Sequence, residues 1–194
     1  MPLIKKFDGV NFSNHIVSEL TPDLAQLGQG FRCKRPEFQT FWKKGRVMRE
    51  VNAHTSRCWI VQCDNSLAAY ITLLADKLIA TEKLLEDEKI KYVTFPAVKI
   101  GLLAADERAS KVGKRMVEWA LEYAAFQVAP LVGVRFMTVD AFYDKDNGYD
   151  ISGFYQKIGF MFVNPDEQLP PQHSYRTMYF DLKPLIDSNL ARFN

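Results

Sequence analysis

The stretch that most constrains this chain is Lys99–Leu121, KIGLLAADERASKVGKRMVEWAL. Its apolar run Ile100–Ala105 reads as a strand that stops at Asp106-Glu107, and the polar loop RASKVGKR follows. Val112, Met116, Val117, Ala120 and Leu121 then recur at helical spacing, with Lys114, Arg115, Glu118 and Glu122 between them. A strand, a short basic loop with a glycine and a helix make an anion-binding corner, because the first helical N–H groups have no intrahelical partner and carry the positive end of the helix dipole. The same order also describes an ordinary corner of an α/β domain, so the corner alone leaves both readings open.

Length and composition set the frame for that corner. The 194 residues suit one domain, or one with an extension, and a hydrophobic fraction of 47% suits a real core. A net charge of +2 demands neither nucleic acid nor membrane. The three cysteines, Cys33, Cys58 and Cys63, are odd in number and lack C-x-x-C spacing, which argues against a disulfide framework or a metal site and fits a reducing cytoplasm. The opening residues MPLIKKFDGVNF hold no long apolar segment, and no run reaches membrane-spanning length.

Along the chain, Thr21-Pro22-Asp23 signals a helix start, with Gly28 and Gly30 as its end. Pro36–Val51 reads as a second helix, weakened at Gly45, with Lys43, Lys44, Arg46 and Arg49 on its polar face. That stripe is either a solvated face or a surface for an anionic substrate or RNA. Arg57–Asp64 and Ser66–Leu74 are strands joined by a tight Asp-Asn turn. Ala75–Lys91 is expected to be a charged, helix-prone surface excursion, Tyr92–Asp106 a long strand interrupted near Pro96, and Lys111–Val128 a helix stopped by Pro130. Val132–Ala141 is a strand, Phe142–Asp150 a loop, Ile151–Ile158 a short helix capped by Gly159, and Phe160–Val163 a strand. Asn164–Ser174 is a Pro-rich loop, Tyr175–Leu182 the last strand, and a helical turn is expected after Pro184.

Two motifs in this order resemble the GNAT acyltransferase superfamily. Leu103-Ala104-Ala105-Asp106 followed by Arg108-Ala109-Ser110-Lys111-Val112-Gly113 is similar to the family's strand end and [RQ]-x-x-G-x-[GA] loop, except that Lys111 stands at the first glycine and the link from the strand is short. Gly153-Phe154-Tyr155-Gln156-Lys157-Ile158-Gly159-Phe160 is similar to the A-x-x-F-Y-x-x-x-G-F signature that ends the family core. The likeness spans about Arg57–Leu182 and implies an α/β (α+β) GNAT fold: a mixed, mostly antiparallel sheet of six to seven strands flanked by helices. In domain terms it implies one domain over residues 1–194, with an N-terminal helical part (1–56) and a core (57–183).

The resemblance implies acetyl-CoA as co-substrate, bound by Leu103, Ala104, Ala105, Arg108, Ser110, Lys111, Val112, Gly113 and Lys114, with no metal. The small Ala104 and Ala105 would let the pantetheine arm lie along the strand. Lys111 would exclude the easiest positive-φ backbone while adding a charge, giving a phosphate site of altered geometry. Tyr155 would donate a proton to the departing thiolate, although on its own it reads equally as a packed aromatic. Asp140, Glu107 and His173 are candidates for the base by polarity, whereas His15 and His54 have no motif around them.

The implied activity is acetyl transfer to a primary amine by direct attack in a ternary complex. The FRC segment, the Phe38–Lys43 helix and CWIVQCDNSLAAYITLL are further similar to GNAT toxins of toxin–antitoxin pairs, which acetylate aminoacyl-tRNA. That branch would give Lys43, Lys44, Arg46 and Arg49 a tRNA backbone to contact. A non-catalytic GNAT-like binding module is the alternative from another class. Oligomerisation is common in the superfamily, and a homodimer is plausible on that ground.

Overall fold

The computed structural model describes residues 6–79, 85 and 88–190. By its contacts the chain divides into two compact units, one of Met1–Leu74 with Gly101–Ala120 and the other of Ala75–Ile100 with Leu121–Asn194.

The first unit holds β1 (Ser18–Glu19), α1 (Pro36–Lys43), α2 (Arg46–Asn52), β2 (Arg57–Cys63), and parts of β3 (Ser66–Ile79), β4 (Thr94–Ala105) and α3 (Val112–Tyr123). β2 and β3 form an antiparallel hairpin in which Cys63 pairs with Ser66. The two intervening residues, Asp64 and Asn65, have φ of 47° and 53°, the pair of positive values that a two-residue hairpin turn needs to match strand twist. Ile60, Tyr70 and Ala104 bury one sheet face against Phe31, Phe41 and Trp42. The Tyr70 hydroxyl donates to the Phe38 carbonyl at 2.8 Å, so this buried phenol is satisfied.

Two helix expectations change here. The Pro36–Val51 segment is two helices, because Gly45 takes φ +66° and breaks the ladder between them. The helix after Thr21 is a 3-10 helix, Pro22–Gly30, without a side-chain cap. Gly28 lies inside it because the Trp42 indole occupies the place of a side chain: a Cβ there would sit 1.8 Å from Nε1.

The second unit carries the remaining parts of β3, β4 and α3, then β5 (Phe136–Asp144), β6 (Tyr149–Asp150), α4 (Ser152–Gln156), β7 (Met161–Phe162), β8 (Tyr175–Asp181) and α5 (Lys183–Leu190). β4 and β5 pair in parallel from Ala97↔Phe136 to Ile100↔Val139. β5 pairs antiparallel with β8 along its length, and β7 adds to β8. Leu78, Leu85, Phe95, Ala97 and Phe136 form this unit's apolar cluster. Hydrogen-bonded neighbours follow the order β1-β2-β3-β4-β5-β8-β7, with β6 on β5. Among the described residues the sheet thus has eight strands against the expected six to seven or so, because β1 and β6 are too short for an alternating apolar pattern to reveal them.

Other boundaries moved for local reasons. Residues 75–79 of the expected surface excursion continue β3, while residues 80–84, 86 and 87 lie outside the described residues. β4 runs through Pro96 without interruption. α3 gives way at Ala124 to a π-helical turn that ends with the Ala129 N–H on the Ala124 carbonyl, just before Pro130. β5 starts later and ends later than expected, and the loop after it contains β6. There Asp144 accepts from the Asp146 and Asn147 N–H groups and closes the turn. No helix among the described residues is long and apolar enough to cross a membrane.

Candidate active site

The residues singled out in the sequence fall in two places: the strand–loop–helix corner in the first unit, and the Tyr155 helix in the second.

The corner is built around Asp106. This carboxylate is 1% exposed and accepts from the Arg32 N–H (3.0 Å), the Arg108 N–H (3.1 Å), and Nε and a terminal nitrogen of Arg108 (both 2.7 Å). Burial works to raise its pKa, but the hydrogen bonds from Arg108 and the Arg32 backbone outweigh it and hold the carboxyl below the usual range. Arg108 also donates to the Gly30 carbonyl at 2.8 Å. The motif arginine therefore clamps the loop with its guanidinium, a role that the expectation of a phosphate ligand did not include.

Lys111 corrects a second expectation. Its φ is +63°, so the lysine adopts the left-handed backbone that the missing glycine would have supplied. The loop keeps its path at a cost of about 1–2 kcal/mol. The side chains of Ala104 and Val112 are buried in the core, so only their backbones are available to a ligand. Ser110 and Lys111 are exposed, and Lys114 pairs with Glu118 along α3. Gly113 has no positive φ, and a Cβ there would meet Ala105 at an ordinary 3.9 Å. Along β4, the Leu102 N–H bonds the Thr72 hydroxyl and the Asp106 N–H bonds the Ala68 carbonyl. Strand alternation turns the Leu103 and Ala105 amides the other way. The Ala105 N–H, with that of Arg35, faces the Cys33 thiol, whose pKa burial pushes up. An open pocket of about 750 Å³ adjoins the loop, walled by Arg108 and Ser110 and by Lys6, Phe7 and Lys34.

Tyr155 sits on α4, five residues long, whose entry is set by Asp150 accepting from the Ser152 N–H at 2.8 Å. The exit is a Schellman loop. The Phe160 N–H returns to the Tyr155 carbonyl, the Gly159 N–H to that of Gln156, and Gly159 takes φ +110°. The Phe160 ring closes on the Tyr155 ring at 5.4 Å, the apolar contact that accompanies this cap. The spacing F-Y-x-x-x-G-F is thus the spacing of a helix end. Tyr155 is 5% exposed, and burial, with a smaller contribution from Tyr149, pushes its phenol well above the ordinary value. The group therefore stays protonated at neutral pH.

The other candidates separate clearly. Asp140 is engaged at both oxygens, by Lys99 at 2.5 Å and by the Thr177 hydroxyl at 3.0 Å. Glu107 is exposed, and its N–H donates to the Arg32 carbonyl. The His173 ring stacks on Tyr175 at 5.3 Å. Lys43, Lys44, Arg46 and Arg49 are all exposed on α1, α2 and their junction. Among the described residues no group of three or more His, Cys, Asp or Glu could hold a metal ion. The sequence reading missed Asp106 as the hub of the corner and Cys33 beside the Ala105 amide. An aspartate at the end of an apolar strand, two residues before an arginine, was the available signal for the first; none marked the second.

Comparison with solved structures gives the same architecture. AtaT complexed with acetyl-methionyl-tRNAfMet is 21% identical, with a TM-score of 0.69 over 89% of this chain and 97% of that chain. A tyrosine-to-phenylalanine mutant of KacT is 20% identical, with a TM-score of 0.69 over 90% and 98%. AtaTR bound with AcCoA is 21% identical, with a TM-score of 0.65 over 90% and 97%. No protein-family model and no curated protein matches the chain. What is shared at this identity is the fold, and it is the GNAT fold implied by the two motifs.

Proposed function

We propose that this chain is an acetyl-CoA-dependent N-acetyltransferase whose acceptor is the free amine of an aminoacyl-tRNA. One observation carries the reading: the likeness to a toxin complexed with an acetylated aminoacyl-tRNA runs over nearly the whole of both chains. The exposed basic residues Lys43, Lys44, Arg46 and Arg49 supply phosphate contacts of the kind such a substrate needs. Tyr155 is proposed as the counterpart of the tyrosine exchanged for phenylalanine in the AtaT and KacT mutants.

The corner fits acetyl-CoA in its own geometry, since the left-handed Lys111 backbone and the start of α3 present N–H groups to a diphosphate. Bound acetyl-CoA supplies a thioester, an acyl donor with a thiolate leaving group. In this reading one β4 amide, that of Leu103, holds the thioester oxygen as negative charge develops on it. Tyr155 gives its phenolic proton to the leaving sulfur. An α-amino group titrates near 8, so a useful fraction is neutral at physiological pH and water suffices as its base. The retained loop backbone supports catalysis over a non-catalytic module.

The test is incubation with acetyl-CoA and a panel of aminoacyl-tRNAs, scored for N-acetylated aminoacyl-tRNA. Product from the intact protein, growth arrest on expression, and loss of both in Tyr155→Phe are the expected results. Acetylation of small amines with aminoacyl-tRNA untouched would refute the acceptor. Absence of acetyl-CoA binding by the folded protein would refute the activity.

A further inference from the structure

The pocket beside the loop is walled by a segment that belongs to neither motif. Residues Lys6–Asn11 fold over the loop through two left-handed positions, Phe7 at φ +65° and Gly9 at φ +71°. For a phenylalanine this is a strained backbone, of the kind retained where surrounding structure over-determines it. Phe12, 2% exposed, anchors the strap, with its ring 5.8 Å from that of Phe7. The Phe7 ring lies 5.7 Å from the Lys6 ammonium and 5.9 Å from the Arg108 guanidinium.

Arg108 is spent on Asp106 and Gly30. The cations left to the pocket are Lys6 and Lys34, and among the described residues neither stands in an ion pair. An aromatic face, two ammonium groups, and the carboxylates of Asp8 and Glu107 share one cavity of about 750 Å³. Bare phosphate would be served by cations alone. This mixture suits a phosphorylated nucleoside: the ring packs against a base, the carboxylates accept from sugar hydroxyls or an exocyclic amine, and the ammonium groups take a phosphomonoester.

We infer that the Lys6–Asn11 strap and Lys34 recognise the 3′-phosphorylated nucleoside end of acetyl-CoA, so that the protein discriminates it from the 3′-dephospho form. This rests on the acetyl-CoA reading above. The strap thereby supplies the charge that Arg108 does not.

Calorimetric titration of the full chain with acetyl-CoA and with 3′-dephospho-acetyl-CoA tests it, repeated on the double variant Lys6→Gln/Lys34→Gln. The intact protein is expected to prefer acetyl-CoA by about tenfold or more, the scale of charge-assisted hydrogen bonds. The double variant is expected to lose that preference and to bind the dephospho form as before. Equal binding of both ligands by the intact protein, or an unchanged preference in the variant, overturns the inference while leaving the acetyl-CoA reading standing. Binding of neither ligand by the intact protein overturns both. A variant that keeps the preference but loses retention of aminoacyl-tRNA on a filter assigns the pocket to RNA and overturns the inference.

Discussion

The loop corner and the Tyr155 helix solve the same problem, holding a few atoms still, by opposite physics. The corner is held by charge: a buried Asp106 carboxylate gathers four N–H donors, and Lys111 is forced into a backbone region its side chain disfavours. The Tyr155 helix is held by apolar closure and a glycine: Phe154, Phe160 and Phe180 rings pack in sequence, and Gly159 turns the chain without strain. Motif letters describe the second solution almost completely, because every contact in it except that of Phe180 lies within nine residues. They describe the first poorly, because Arg32 and Gly30 reach Asp106 and Arg108 from more than 70 residues away.

The sharpest way to break the comparison is at the chemistry. Tyr155→Phe removes one hydroxyl from an apolar cage and leaves the rings in place. Turnover should fall by about 10²-fold or more while acetyl-CoA affinity and thermal stability stay as they were. A parallel loss of stability would mean that the hydroxyl is structural, which single-turnover kinetics and a melting curve on the same preparation would show.

The next effect is on the charged side. Asp106→Asn leaves the Arg108 guanidinium without its anion. It should cost about 2–3 kcal/mol, somewhat below the loss of a fully buried pair because Arg108 is part-exposed. The acid limb should change with it. The folded-state carboxyl is held below its unfolded value of about 3.9. Its contribution is therefore complete above that value and is lost as pH falls through the lower folded one. Urea unfolding from pH ~5 downward should show a flatter acid limb in the variant than in the parent. An unchanged limb would transfer the acid sensitivity to another carboxylate.

What was legible in the sequence follows the same division. The hairpin turn at Asp64-Asn65, the β2–β3 pair and the Tyr155 helix were readable because neighbours in sequence make them. The two-residue strands were not, since their pairing is decided by β2 and β5 rather than by any pattern of their own. The break at Gly45 and the role of Gly28 were also hidden. A glycine in a helical stretch looks the same whether it turns the chain, as at Gly45, or makes room for Trp42, as at Gly28. At the site, the bonds of the motif arginine to Asp106 and Gly30 were hidden, because nothing local shows that the carboxylate two residues away is buried.

Gly159→Ala sharpens the apolar side. At φ +110° a Cβ is strained and would lie 3.1 Å from the Phe180 ring, so stability should drop by about 1–2 kcal/mol. Because the Schellman bond ends on the Tyr155 carbonyl, turnover should fall more than acetyl-CoA affinity does. Equal losses in the two would say that the cap supports the fold without positioning the tyrosine.

The smallest expected effect is the most informative about the corner. Lys111→Gly places a glycine at a position whose backbone is already left-handed. Relief of side-chain strain, less the extra freedom glycine gains in the unfolded chain, should leave a net stabilisation of about 0.5 kcal/mol. Strain and charge then move apart. If Lys111 is kept for its ammonium group, acetyl-CoA affinity should fall several-fold as stability rises, and the loss should shrink at high salt. If affinity is unchanged or better, the lysine is only a tolerated replacement for glycine, and the positive charge at this corner comes from elsewhere along the pocket wall.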